Sequence, residues 1–120
     1  MLSIRSITFA TSKTNEMVSF YNAVLNTDLQ PIESAPGFYR GKLAAQHDLI
    51  MCPNSVAEVV AEQNRQQFCF TVEDIEEVFA AAMENGGKAM NSDFEKNDTE
   101  MRGSLYDPDG NTIEFVQVFS

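Results

Sequence analysis

The chain has 120 residues, 43% hydrophobic and 22% charged, a balance that fits one globular domain or two small modules sharing a core. Eight basic against 18 acidic residues give a formal charge of −10, which argues against nucleic acid as a partner because phosphates would be repelled. Cys52 and Cys69 form neither a zinc spacing nor a disulfide framework, and no segment has signal-peptide or bilayer-spanning character, so reduced, buried cysteines, no membrane partner and a cytoplasmic location are expected.

The first element is a strand over Ser6-Ile7-Thr8-Phe9-Ala10-Thr11. Side chains alternate along a strand, so Ile7 and Phe9 share an apolar face while Ser6, Thr8 and Ala10 share a smaller, more polar one. Met17, Phe20, Tyr21, Val24 and Leu25 then follow the i, i+3, i+4, i+7, i+8 rule of an amphipathic helix. Three short β-runs are expected after it, at about 27–34, 37–45 and 47–53. Tyr39, on the second run after Gly37, is a candidate aromatic wall for a flat ligand. His47, the only histidine, shares strand parity with Leu49 and Met51. It is a displaced metal ligand, an acid–base residue or an exposed loop histidine.

Asn54 to Gln66 is expected to hold a short connecting helix over about 55–65, because Ser55-Val56-Ala57-Glu58 resembles a capping box. The second half opens with a strand over Gln67-Phe68-Cys69-Phe70-Thr71-Val72, again with one apolar and one small or polar face. Asp74 is a candidate N-cap with Glu77 three residues on, and Ile75, Val78, Phe79, Ala82 and Met83 form the apolar stripe. Asn85-Gly86-Gly87 should stop this helix. Three more β-runs are expected at about 87–93, 100–106 and 111–119. The last two are joined by Asp107-Pro108-Asp109-Gly110, a sequence made for a tight turn. Beyond it Thr112, Glu114 and Val116 fall on one side and Ile113 and Phe115 on the other.

The halves repeat. Ser6 lies over Gln67 with an offset of 67 − 6 = 61 residues, about half the chain. The fold class expected is therefore α+β: two βαβββ modules forming a curled, barrel-like mixed sheet with helices outside. Module one covers about 1–54, the connecting helix about 55–65 and module two about 66–120. Polar inner faces in both copies suit a sheet curled around a cavity. Glu114 is the leading candidate there, since a lone carboxylate inside a sheet needs a cation, a donor or water. Arg102 could pair with Glu114, hold an anionic ligand group, or sit at the surface beside Glu100. The acidic stretch Glu95, Asp98 and Glu100 reads as solvated.

The duplicated βαβββ pattern, Phe20-Tyr21 on the first helix and the closing Asp107-Pro108-Asp109-Gly110-Asn111-Thr112-Ile113-Glu114-Phe115 resemble the vicinal oxygen chelate superfamily, which holds glyoxalases, bleomycin-resistance proteins, fosfomycin-resistance enzymes and extradiol dioxygenases. The resemblance implies one divalent metal (nickel, zinc, manganese or iron) in the metal-using members. Their ligands come from the first and last strand of each module. Glu114 matches one such position, and Gln67 falls where another would be. Ser6 and Met51 fall at the other two and are poor donors for a hard ion. The resemblance also implies a homodimer. Ser6, Thr8, Tyr39, Met51, Gln67, Cys69, Arg102 and Glu114 are the candidate ligand-binding residues, with Gln67, Glu114 and His47 as candidate metal ligands. The expected function is a small-molecule binder with a degenerate metal site and no cofactor. The alternative is a metal-dependent lyase, isomerase or dioxygenase with Glu114 in its catalytic centre, and whether the chain is an enzyme stays open.

Overall fold

The computed structural model of the protein describes residues 4–44, 47–57, 67–91 and 93–119. The chain divides into two compact units, Met1–Val60 and Ala61–Ser120. No described helix is long and apolar enough to cross a membrane.

The first unit runs β1 (Ser6–Thr11), α1 (Thr14–Leu25), β2 (Gln30–Pro31), β3 (Tyr39–Ala44), β4 (His47–Pro53) and α2 (Asn54–Ala57). The rest of the expected connecting helix lies outside the described residues. The sheet order is β1-β4-β3-β2, with β1 parallel to β4 and the other pairs antiparallel. The apolar stripe of α1 packs on one face of this sheet, and Met17, Phe20, Tyr21 and Val24 are buried. Phe9 meets Tyr21 edge-on, with ring centroids 5.3 Å apart. Leu49 and Met51, in register with Ile7 and Phe9, complete this core. Each such side chain is worth about 1.5–3 kcal/mol in burial.

The end of α1 is fastened to the sheet. Asn26 adopts the left-handed conformation that terminates helices. The Asn22 Oδ1 atom then accepts from the Leu29 amide at 2.6 Å and from the Thr27 hydroxyl at 3.0 Å. The Thr27 carbonyl accepts from the Lys42 amide at 3.0 Å. This loop lies so close to β3 that a Cβ on Gly41 would stand 2.2 Å from the Thr27 carbonyl oxygen.

The second unit runs β5 (Phe68–Thr71), α3 (Ile75–Glu84), β6 (Lys88–Ala89), β7 (Glu95–Lys96), β8 (Glu100–Tyr106) and β9 (Thr112–Val118). Its sheet order is β5-β9-β8-β6, with β7 also paired to β8 and β5 parallel to β9. Asp74 caps α3 by accepting from the Glu77 amide at 3.2 Å. At the other end Gly86 takes φ +91° and the Gly87 amide donates to the Ala82 carbonyl at 2.8 Å, a Schellman closure. Met83, expected in the apolar stripe, is 42% exposed, because it stands in the last turn of the helix.

The sequence suggests a single run over 87–93, whereas β6 spans only Lys88–Ala89 and β7 is an extra short strand. Between them Phe94 folds over β8 and meets Phe79 at 4.8 Å, interplanar angle 76°. Gly103 makes room for this pair, since a Cβ there would lie 2.7 Å from Phe94 and 2.8 Å from Phe79. In the β8–β9 turn Gly110 takes φ +86° and its amide donates to the Asp107 carbonyl at 2.9 Å. The buried Asp107 carboxylate accepts from the amides of Asp109 at 2.9 Å and Asn111 at 3.0 Å and from the Asn111 side chain at 2.8 Å. Each half is thus a βαβββ unit, the second with one added short strand, and the fold is α+β.

Candidate functional site

Strand register decides which predicted residues meet. In the second unit Phe70 and Phe115, with rings 6.0 Å apart, lie on the α3 side, and Phe79 of α3 packs 6.0 Å from Phe115. The opposite, open face therefore carries the alternate residues. Cys69 of β5 stands beside Glu114 of β9, and Glu114 stands beside Ser104 of β8. Arg102, two residues before Ser104 on β8 and so on the same face, pairs with Val116. Gln67 precedes β5 with the parity of Cys69 and is exposed.

Arg102 gathers this face. Its Nη1 donates to Glu114 Oε1 at 2.8 Å, and its Nε donates to Glu100 Oε2. About a third of each side chain remains exposed: 39% for Arg102 and 32% for Glu114. Glu100, by hydrogen bond and charge, pushes the Arg102 pKa up, and Glu114 adds to it. Partial burial raises the Cys69 thiol pKa, Glu114 raises it further, and Arg102 opposes both. Cys69 is thus a neutral hydrogen-bonding thiol at pH 7. It is exposed rather than the buried filler expected, because it lies on the open face; Cys52 is buried, and both are free.

In the first unit Ser6 and Thr8 are exposed on the face away from α1, in register with Asp48 and Ile50. Three expectations need correction here. Met51 pairs with Phe9 and is fully buried on the helix side. Tyr39 pairs with Met51 and shares that side, and His47 keeps the same parity. None of the three lies on the open face with Ser6 and Thr8. The repeat explains which residue takes the place assigned to Met51. Thr8 and Cys69 are matching positions, and their neighbours are Ile50 and Glu114 respectively.

The residues do not fit a hard divalent cation. A guanidinium already occupies the Glu114 carboxylate, the position matching Glu114 in the first unit is an isoleucine, and among the described residues no three His, Cys, Asp or Glu side chains come together as a metal site. Chemically the face offers guanidinium N–H donors, carboxylate acceptors and a thiol. Arg102 meets both acidic neighbours named for it in the sequence, Glu114 and Glu100, and the spacing Glu100-x-Arg102 on a strand puts the latter pair on one face.

A separate open groove of about 760 Å³ lies in the first unit, lined among others by Asp28, Gln30, Glu33, Arg40, Lys42 and Asp48. None of the candidate ligand-binding or metal residues named from the sequence lines it. Lys42 Nζ, 2.6 Å from Asp48 Oδ1, holds the Asp48 carboxyl below the usual range.

A family model described as a glyoxalase-like domain matches residues 6–116. Solved structures share the fold. A glyoxalase/bleomycin resistance protein from Albidiferax ferrireducens T118 is 19% identical, with TM-score 0.74 over 95% of this chain and 97% of that one. A glyoxalase/bleomycin resistance protein/dioxygenase family enzyme from Burkholderia phytofirmans PsJN is 18% identical, with TM-score 0.76 over 96% and 98%. TnmS3, an antibiotic binding protein from Streptomyces sp. CB03234, is 16% identical, with TM-score 0.66 over 99% and 98%. No curated protein matches the chain in sequence.

Proposed function

The chain belongs to the glyoxalase-like domain family, and from that membership we propose that it binds a small molecule on the open face of its second sheet without the help of a metal ion. One observation carries this reading: the carboxylate in the position of a family metal ligand, Glu114, is held by the guanidinium of Arg102 at 2.8 Å. A dication brought there would have to displace that bond and sit beside a like charge. The fold hosts several chemistries, so the argument rests on the site and not on the fold. A structural neighbour described as an antibiotic binding protein is compatible with the reading. The proposal includes a homodimer in the cytoplasm, and light scattering at micromolar concentration should report twice the mass of 13.4 kDa.

The test is calorimetric titration of dialysed protein with nickel, manganese and zinc salts, joined to elemental analysis. No stoichiometric site is expected for any of the three. A one-to-one site lost in Glu114→Ala would replace this reading with a metal-dependent lyase, isomerase or dioxygenase.

A further inference from the structure

The donors and acceptors around Arg102 also bear on the class of ligand. A guanidinium carries five N–H groups. Here one goes from Nε to Glu100 and one from Nη1 to Glu114. The Cys69 thiol is a third hydrogen-bonding neighbour of the guanidinium, which leaves about two N–H groups over. The Nη1–Nη2 edge therefore keeps hydrogens for a ligand, in the planar arrangement that suits oxygen acceptors. The charge balance restricts which acceptor is welcome. Two carboxylates surround one guanidinium, so the group carries one net negative charge, within a chain whose formal charge is −10. A ligand carboxylate or phosphate would add a third anion to one cation. An uncharged carbonyl oxygen accepts the same hydrogens without that repulsion. The neighbouring Cys69 thiol and Ser104, both beside Glu114 in register, add further neutral hydrogen-bonding groups.

We infer that the open face of the second sheet takes an uncharged ligand whose carbonyl oxygen is held by the free edge of Arg102, and that the flanking Glu100 and Glu114 make this face reject carboxylates and phosphates. The inference rests on the proposed small-molecule role and names the ligand class for it. In this arrangement the guanidinium does the polarising and Glu114 is the group that aims it.

Benzamide and benzoate test this directly, because they share a shape and differ by one charge. Each is titrated into isotope-labelled protein, and the side-chain nitrogen signals of Arg102 and the amide signals of Cys69 and Ser104 are followed. Benzamide is expected to shift them saturably. Benzoate is expected to bind at least about fivefold more weakly, the factor for one unit charge at roughly 4 Å in water. Glu100→Gln should close that gap by about the same factor. Arg102→Lys should weaken benzamide, since it keeps the charge but loses the planar fork. Benzoate binding as well as benzamide, or Arg102 signals that neither compound moves, would overturn the inference. Both results are independent of the metal titration, so the ligand class can fail while metal-free binding stands.

Discussion

Gly41→Ala tests the packing of the first unit with a sign as well as a size. The Cβ it adds would lie 2.2 Å from the Thr27 carbonyl oxygen and 3.1 Å from the Leu29 amide nitrogen. A carbon–oxygen contact is comfortable at about 3.3 Å or more, so the loop must retreat by about 1 Å. That loop is not free to do so. The Thr27 carbonyl accepts from Lys42 on β3, and Asn22 grips Thr27 and Leu29 from α1. Overpacking of this kind costs about 1–3 kcal/mol, and the strained Thr27–Lys42 bond about 1 more. Against this, removing a glycine stiffens the unfolded chain and returns about 0.4–1 kcal/mol. The net loss should be about 2–3 kcal/mol, or roughly 10 °C in melting temperature for a chain of this size. The chain has no tryptophan, so urea unfolding followed by far-UV circular dichroism is the suitable assay. Gly110→Ala is the companion variant, with φ +86° but no atom within 4 Å of the new Cβ. It should lose only the conformational 1–2 kcal/mol or so. A Gly41→Ala protein as stable as the parent, or more stable, would show that β3 and the α1 end do not approach as described.

Three further outcomes are expected. Asp107→Ala removes a buried carboxylate that accepts three hydrogen bonds in the β8–β9 turn, and should lower the unfolding free energy by about 2–4 kcal/mol in the same denaturation assay. The Asp48 pKa is depressed by Lys42, so its contribution to stability is present above the unfolded carboxyl pKa, near 3.8, and is lost as pH falls through the lower folded value. Stability of Lys42→Met should consequently fall less than that of the parent on acidification below about pH 4, as acid-titrated circular dichroism would show. The Cys69 thiol should react with iodoacetamide with an inflection above the ordinary thiol range, lowered in Glu114→Gln and raised in Arg102→Gln, in a rate-versus-pH series.

Much of the architecture was legible because apolar spacing and turn chemistry are local signals. The stripes on α1 and α3, the Asp74 cap, the glycine stop and the Asp107–Gly110 turn all depend on residues within a few positions of one another. The faces of β1, β5 and β9 were legible for a related reason: large apolar and small or polar residues alternate along them. On β4 the same rule fails. Leu49-Ile50-Met51-Cys52 is apolar throughout, so parity is invisible, and only the parallel pairing with β1 shows Ile50 beside Thr8 and Met51 beside Phe9. Tyr39 went astray with it, since its side follows from its pairing with Met51. Long-range contacts were equally silent. Nothing local announces that Gln117 accepts from the Ile75 amide at 2.9 Å, 42 residues away, or that Gly103 accommodates Phe94. Glu114 was visible as a carboxylate in need of a partner, but that Arg102 reaches it required the distance.

A cation supplied by a side chain differs from one drawn from solution in a plain way: it cannot dissociate. The charge beside Glu114 is tethered to β8. It is present in every copy as soon as translation ends, at any dilution, whatever trace elements the surroundings hold. If the site works without a metal, as proposed, it has no unloaded pool and nothing for a chelator to strip.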